Sequence, residues 1–182
     1  MTTDRSLVGV LDVMVLAAAF TLVAGCQQTP ESPLLPDDYQ SWVQRAPTVE
    51  LDYPVPGHEN HYRIMYGNDL SSHFTSTTSS GEGGISYPPG TVIIKEIYEG
   101  LERPAEGAVP ITLTAMIKRP EDNRNFGGWL WVAQDVASGK ETVLDHDYCV
   151  KCHSNANELH PYGDRNRSGE FRDFVFFPAA TP

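Results

Sequence analysis

The alternation of apolar and polar residues predicts a chain built mainly from short β-strands. In the segment Ile111 to Lys118, every second side chain from Ile111 to Ile117 is apolar, and the positions between them include two threonines. Gly, Pro and Asn residues separate such segments, as is typical of turns. The predicted strands cover residues 62–66, 91–98, 111–118, 129–134 and 174–177.

Two short helices are predicted beside these strands. The first is capped by Asp37, runs to about Arg45 and ends before Pro47. The second covers Asp145 to about Asn155. The chain is therefore expected to be mainly β, of the α+β class, with an antiparallel sheet, a short N-terminal helix and a second short helix near the C-terminus.

The N-terminal region has the pattern of an export signal. A mostly apolar stretch, Leu7 to Val23, runs through two small residues into Cys26. This resembles a bacterial lipoprotein signal, in which the cysteine is lipidated and becomes the new N-terminus. An ordinary cleaved signal peptide is the alternative. A membrane-spanning anchor is disfavoured, because the uninterrupted apolar segment covers only Val13 to Gly25.

The chain divides into three expected parts. Residues 1–26 form a lipoprotein signal with Cys26 as the lipidated residue, residues 27–36 form a proline-rich tether, and residues 37–182 form the folded domain. By the same resemblance, Gln27 after the cysteine favours anchoring to the outer membrane. The expected location is the periplasm, with a lipid anchor to the membrane.

Charge narrows the range of partners. The chain has 24 acidic and 13 basic residues, for a formal net charge of −11. Nucleic acid is not an expected partner, because binding the phosphate backbone needs a surface rich in Lys and Arg.

The most specific chemical motif is Cys149-Val150-Lys151-Cys152-His153. In an exported chain, C-x-x-C-H is the signature of covalent c-type haem attachment. On a helix these cysteines and the histidine share one face, so two thioethers and one axial imidazole would reach the same haem. A structural zinc site would need a second pair of ligands, which the sequence lacks.

Four parts of the sequence resemble the cytochrome P-460 and cytochrome c′-beta family. The most specific after the haem motif is the element Pro89-Gly90-Thr91 followed by Lys95-Glu96, and the resemblance extends from Tyr62 to Pro178. The four parts are residues 62–68, residues 87–96, residues 116–119 with 128–132, and residues 149–156 with 172–176.

This resemblance implies a homodimer with one five-coordinate haem c per chain, held by Cys149 and Cys152 with His153 on the iron. In cytochromes P-460 a lysine is also bonded to the macrocycle, and the haem oxidises hydroxylamine. Cytochromes c′-beta lack that bond and bind nitric oxide or carbon monoxide.

Lys95 is the candidate for the cross-linked lysine. Strand alternation places it on one face with Ile93 and Ile97, where an ammonium group is costly unless it is paired or neutral. A desolvated lysine is also a competent nucleophile. The alternative is an edge-strand lysine that reaches water. Lys118 shares its face with Thr112 and Thr114 and is expected to be solvated.

Two further roles are assigned from the sequence. Glu121 is a candidate catalytic proton acceptor above the open haem face. Met65 and Met116 are candidate sixth ligands, although a strand methionine more often packs in the core.

The sequence therefore predicts an exported haem oxidoreductase of P-460 type, acting on hydroxylamine or a related small nitrogen species, with a cytochrome as redox partner. Two alternatives stay open. One is a c′-beta-like protein that binds nitric oxide or carbon monoxide without turnover. The other is a six-coordinate electron-transfer cytochrome.

Overall fold

A six-stranded antiparallel sheet is the centre of the domain. The computed structural model describes residues 32–45, 60–76, 84–144, 147–161 and 165–176. The predicted signal, its Cys26 and the first half of the predicted tether lie outside these residues. The described residues from Pro33 onward belong to one compact unit.

The described residues contain eight strands, and six of them form the main sheet in the order β1-β2-β5-β6-β7-β8. Strands β3 and β4 form a separate short hairpin. In chain order the strands are β1 (Val43–Arg45), β2 (His61–Gly67), β3 (Thr75–Ser76), β4 (Ile85–Ser86), β5 (Val92–Glu99), β6 (Thr112–Lys118), β7 (Trp129–Asp135) and β8 (Lys140–Val143).

The predicted mainly β fold is confirmed, and four of the five predicted strands are present as β2, β5, β6 and β7. The fifth, at residues 174–177, is wrong. Asp173 and Phe174 have φ of 49° and 67°, in the left-handed region, and a strand needs extended backbone. Arg172 O accepts a hydrogen bond from Val175 N at 3.0 Å, so the described part of this segment is a tight turn.

The helical prediction is correct near the C-terminus and wrong in extent near the N-terminus. Helix α1 covers Asp147–Ser154, and a 3-10 turn at Asn155–Asn157 follows it. In the predicted N-terminal helix, only Tyr39–Ser41 is helical, as a single 3-10 turn. The residues after it pair with β2 as strand β1, and this sheet pairing outweighs their weak helical periodicity. Within the described part of the chain, no helix is long and apolar enough to cross a membrane.

One face of the sheet is covered by the N-terminal segment, and we call it the N-terminal face. Leu35 and Tyr39 pack there against Ile94, Leu113 and Val132. The buried carboxylate of Glu96 also points to this face and accepts a hydrogen bond from the Tyr39 hydroxyl at 2.8 Å.

The opposite face carries α1, and we call it the helix face. Its core includes Met116, Trp129 and Trp131, with Cys149 and Val150 of α1 packed against them. Since both faces are covered, the alternation along a strand cannot by itself show which side chains are solvated.

Candidate functional site

The haem motif lies on α1 where the helix meets the sheet. Cys149 and Cys152 are half-buried free thiols, and Cys149 packs into the core of the helix face. Burial raises the pKa of both thiols, although the positive charge of Lys95 acts in the opposite direction. Both cysteines are therefore expected to be protonated, and so uncharged, at neutral pH.

His153 is held in one orientation by the segment that ends the described chain. Its Nδ1 lies 2.9 Å from the carbonyl oxygen of Phe174. The imidazole packs edge-on against Trp131, with ring centroids 4.8 Å apart, and against Phe176 at 5.4 Å. A carbonyl oxygen only accepts, so Nδ1 carries the proton and Nε2 keeps its lone pair.

The electrostatics of His153 suit a metal ligand. Burial lowers its pKa to about 4, and the nearby charge of Lys95 acts in the same direction. The imidazole is therefore neutral at physiological pH, and a neutral imidazole is the form that binds iron. Two thiols and one histidine with a free Nε2, all on α1, fit the requirements of a c-type haem.

Lys95 lies on the same side of the sheet as the motif. The register aligns Lys95 of β5 with Thr114 of β6, and Ile93 with Met116, so Lys95 belongs to the helix face. The pKa of Lys95 is lowered to about 8, mainly by burial and also by the charge of Arg63, while the two thiols act in the opposite direction. Lys95 therefore lies on the face of the sheet against which Cys149 packs.

Arg63 is a neighbour of this site that sequence reasoning missed. On β2 it lies opposite Ile97, and Met65 lies opposite Lys95, so both belong to the helix face. Burial lowers the pKa of Arg63. The sequence could have indicated this position, because Arg63 lies two residues before the candidate ligand Met65 and side chains two apart on a strand share a face.

The expectation that Lys118 is solvated is wrong. Lys118 is buried, with its ammonium 2.6 Å from Asp173 and 4.8 Å from the centre of the Trp129 ring. It lies opposite Trp129 on the helix face, the same face as Lys95. The threonines of β6 indicated a solvent-exposed face, but Thr112 and Thr114 are only partly exposed.

The remaining sequence candidates are Glu121, Met116 and Met65, and the structure places them differently. Glu121 is exposed, in the loop between β6 and β7. Met116 is buried in the core of the helix face. Of the two candidate sixth ligands, Met65 is the one directly opposite Lys95.

Comparison with known proteins gives one family. The family model described as Cytochrome P460 matches residues 36–177, which is most of the chain. The comparison with curated protein sequences gave no match.

Proposed function

Since the chain belongs to the cytochrome P460 family, we propose that it is a covalent monohaem c cytochrome that oxidises hydroxylamine or a related small nitrogen species. The family match makes it a haem cytochrome. The observation that carries the finer proposal is Lys95, a partly buried lysine on the face of the sheet that also carries the haem motif on α1.

The chain's own residues supply three kinds of attachment for the haem. Cys149 and Cys152 would bind it through thioethers, and His153 Nε2 would coordinate the iron. The hydrogen bond from His153 Nδ1 to Phe174 fixes the tautomer that leaves Nε2 available. When bound, the haem supplies a redox-active iron that can take electrons from a small substrate.

Lys95 is suited to form a further bond to the macrocycle. Its nitrogen would replace a hydrogen on a macrocycle carbon, with two protons released and two electrons passed to an oxidant such as a peroxide. With a pKa of about 8, roughly one Lys95 amine in ten is neutral at pH 7. For an ordinary lysine the neutral fraction is below about one in a thousand. Only the neutral amine has a lone pair to donate, so burial makes Lys95 a better nucleophile than any solvated lysine.

Removal of protons and electrons from the substrate would need groups other than the two cysteines, His153 and Lys95. Oxidation of hydroxylamine releases protons, and we keep Glu121 as the candidate acceptor. Its loop also carries Phe126, which packs against the core of the helix face. The acidic chain, at a formal −11, suits a redox partner with a basic docking surface, such as a cytochrome.

Replacing Lys95 with leucine tests the substrate proposal. Lys95→Leu should keep the haem but lower hydroxylamine oxidation by about 100-fold, since the proposed bond from Lys95 to the macrocycle is lost. Lys140→Leu, at an exposed position of β8, is the control and should keep full activity. Lys118 is unsuitable as a control because it is buried in an ion pair.

Unchanged activity in Lys95→Leu would exclude the P-460 mechanism. A wild type that does not oxidise hydroxylamine, but whose ferrous form binds nitric oxide rapidly, would favour the gas-binding alternative. Peptide mapping provides a second readout, because Lys95 should be recovered from the wild type only in the haem-bearing fragment.

We also propose that the protein is exported and anchored by lipid on Cys26, which lies outside the described residues. Mass spectrometry of the membrane fraction should find an acylated N-terminal cysteine. Cys26→Ser should move the protein out of that fraction or leave it unprocessed. An unmodified N-terminus beyond residue 26 would instead indicate an ordinary signal peptide.

A further inference from the structure

We propose that Lys118 and Asn157 are positioning residues for the axial histidine. Both hold the turn at Asp173 and Phe174, and the Phe174 carbonyl in that turn accepts the proton of His153 Nδ1. The inference rests on the proposed role of His153 as the iron ligand. It adds that the turn at Asp173 and Phe174 sets how strongly His153 would bind the iron.

The turn has an unusual backbone for its sequence. Arg172 O and Val175 N close it at 3.0 Å, and the two central residues have positive φ, as in a type I′ turn. Such positions usually hold Gly, Asn or Asp, so a phenylalanine at the second one is out of place. Non-glycine residues in this region persist only where the surroundings enforce it.

Lys118 enforces the first half of the turn through Asp173. The Lys118 ammonium lies 2.6 and 2.8 Å from the two oxygens of the Asp173 carboxylate. That carboxylate also accepts hydrogen bonds from Tyr87 N at 2.9 Å and Trp129 Nε1 at 3.1 Å. Trp129 Nε1 lies 3.0 Å from the Asp173 carbonyl as well. Side chain and backbone of Asp173 are therefore both fixed to the sheet.

Asn157 enforces the second half of the turn from the opposite side. Its Oδ1 accepts hydrogen bonds from Arg172 N at 2.9 Å and from Phe174 N at 3.0 Å. Asn157 belongs to the 3-10 turn that directly continues α1. The helix that carries His153 is thereby tied to the peptide that His153 contacts.

Two glycines make room for this arrangement. At Gly127, which has φ of 64°, a Cβ would lie 2.5 Å from the Phe174 ring. At Gly128, which has φ of 80°, a Cβ would lie 3.1 Å from the Lys118 ammonium. The loop before β7 is thus shaped to accept both the buried lysine and the aromatic residue of the turn.

The consequence for the haem follows from the hydrogen bond at Nδ1. A well-aligned acceptor there makes the imidazole a stronger donor to iron and stabilises the oxidised metal. If the turn relaxes, the bond weakens, the iron–histidine bond softens and the reduction potential rises. Loss of the Lys118 charge alone would have the opposite effect, because removing a cation from the side of the sheet that would hold the haem favours the oxidised state.

The test compares Lys118→Met and Asn157→Ala with the wild-type holoprotein. Resonance Raman spectra of the ferrous proteins give the iron–histidine stretching band, and redox titration gives the midpoint potential. Both variants should retain haem and shift the band to lower frequency, and Asn157→Ala, which leaves the charge unchanged, should also raise the potential. Asn155→Ala, on the same 3-10 turn, and Lys140→Met, on β8, are the controls and should match the wild type.

Asn157→Ala decides the question by itself if Lys118→Met does not accumulate, and it leaves the charge unchanged. The proposal is overturned if Asn157→Ala binds haem and has the same iron–histidine band and midpoint potential as the wild type, even if its stability is reduced. A lowered potential in Lys118→Met with an unshifted band also overturns it, since that is the effect of charge alone. A wild type without haem would overturn the proposed function as well. An unchanged Asn157→Ala holoprotein would overturn only the positioning proposal, so the two failures can be told apart.

Discussion

A chain with alanine in place of both Cys149 and Cys152 is expected to carry no covalently bound haem. The thioethers need thiols at these positions, and alanine has no atom that can form the bond. Both cysteines are free and half-buried at the junction of α1 and the sheet, so no disulfide competes for them. The measurement is haem staining after denaturing electrophoresis, where only covalently attached haem remains with the polypeptide.

The wild type should stain and the double variant should not. Cys26→Ser is the matched control, because it removes the remaining cysteine and should leave the stain unchanged. A stained band in the double-alanine variant would show that the motif does not attach the haem.

Asp173→Ala is expected to cause a large loss of stability in the domain. The substitution leaves the buried Lys118 ammonium without its carboxylate and removes the acceptor for Tyr87 N. Removing one partner of a buried ion pair typically costs about 3–5 kcal/mol. That is a large part of the roughly 5–15 kcal/mol that stabilises a domain.

Urea unfolding of the purified holoproteins measures this loss. Asp122→Ala is the control, since it removes a partly buried carboxylate whose partner, Arg124, is exposed, and its unfolding midpoint should fall much less than that of Asp173→Ala. Equal midpoints for the two variants would mean that the Lys118–Asp173 pair does not contribute as its burial indicates.

The haem motif could be identified from sequence because all its parts are local. Cys149, Cys152 and His153 lie within five residues of the chain, so helical geometry alone brings them to one side. The middle strands were predictable for the same reason, since alternation is a property of neighbouring residues. β8, the polar segment Lys140–Val143, was missed because it lacks that alternation.

The position of Lys118 could not be predicted in this way. Alternation correctly separates Lys118 from Ile117, but it does not show that α1 and the C-terminal segment cover the face with Lys118. The partner, Asp173, lies 55 residues further along the chain. Lys95 and Lys118 were therefore assigned to different environments, although they share one covered face.

The contact between His153 and Phe174 was also beyond sequence reasoning. It involves a backbone carbonyl 21 residues away, in a turn without the Gly or Asn that usually marks one. Phe174, Val175 and Phe176 instead had the composition of a strand. The turn exists because Asp173 and Asn157 are both bonded to distant groups, and such bonds leave no local pattern.

The optical spectrum of the purified ferrous protein tests the P-460 assignment most directly. It reports the bonds to the macrocycle and the coordination of the iron together, in the wild type and without any substitution. A broad, strongly red-shifted Soret band is expected, because the proposed bond from Lys95 would add a third covalent attachment to the macrocycle. An ordinary c-type Soret band, whether high-spin or sharp and low-spin, would contradict the assignment.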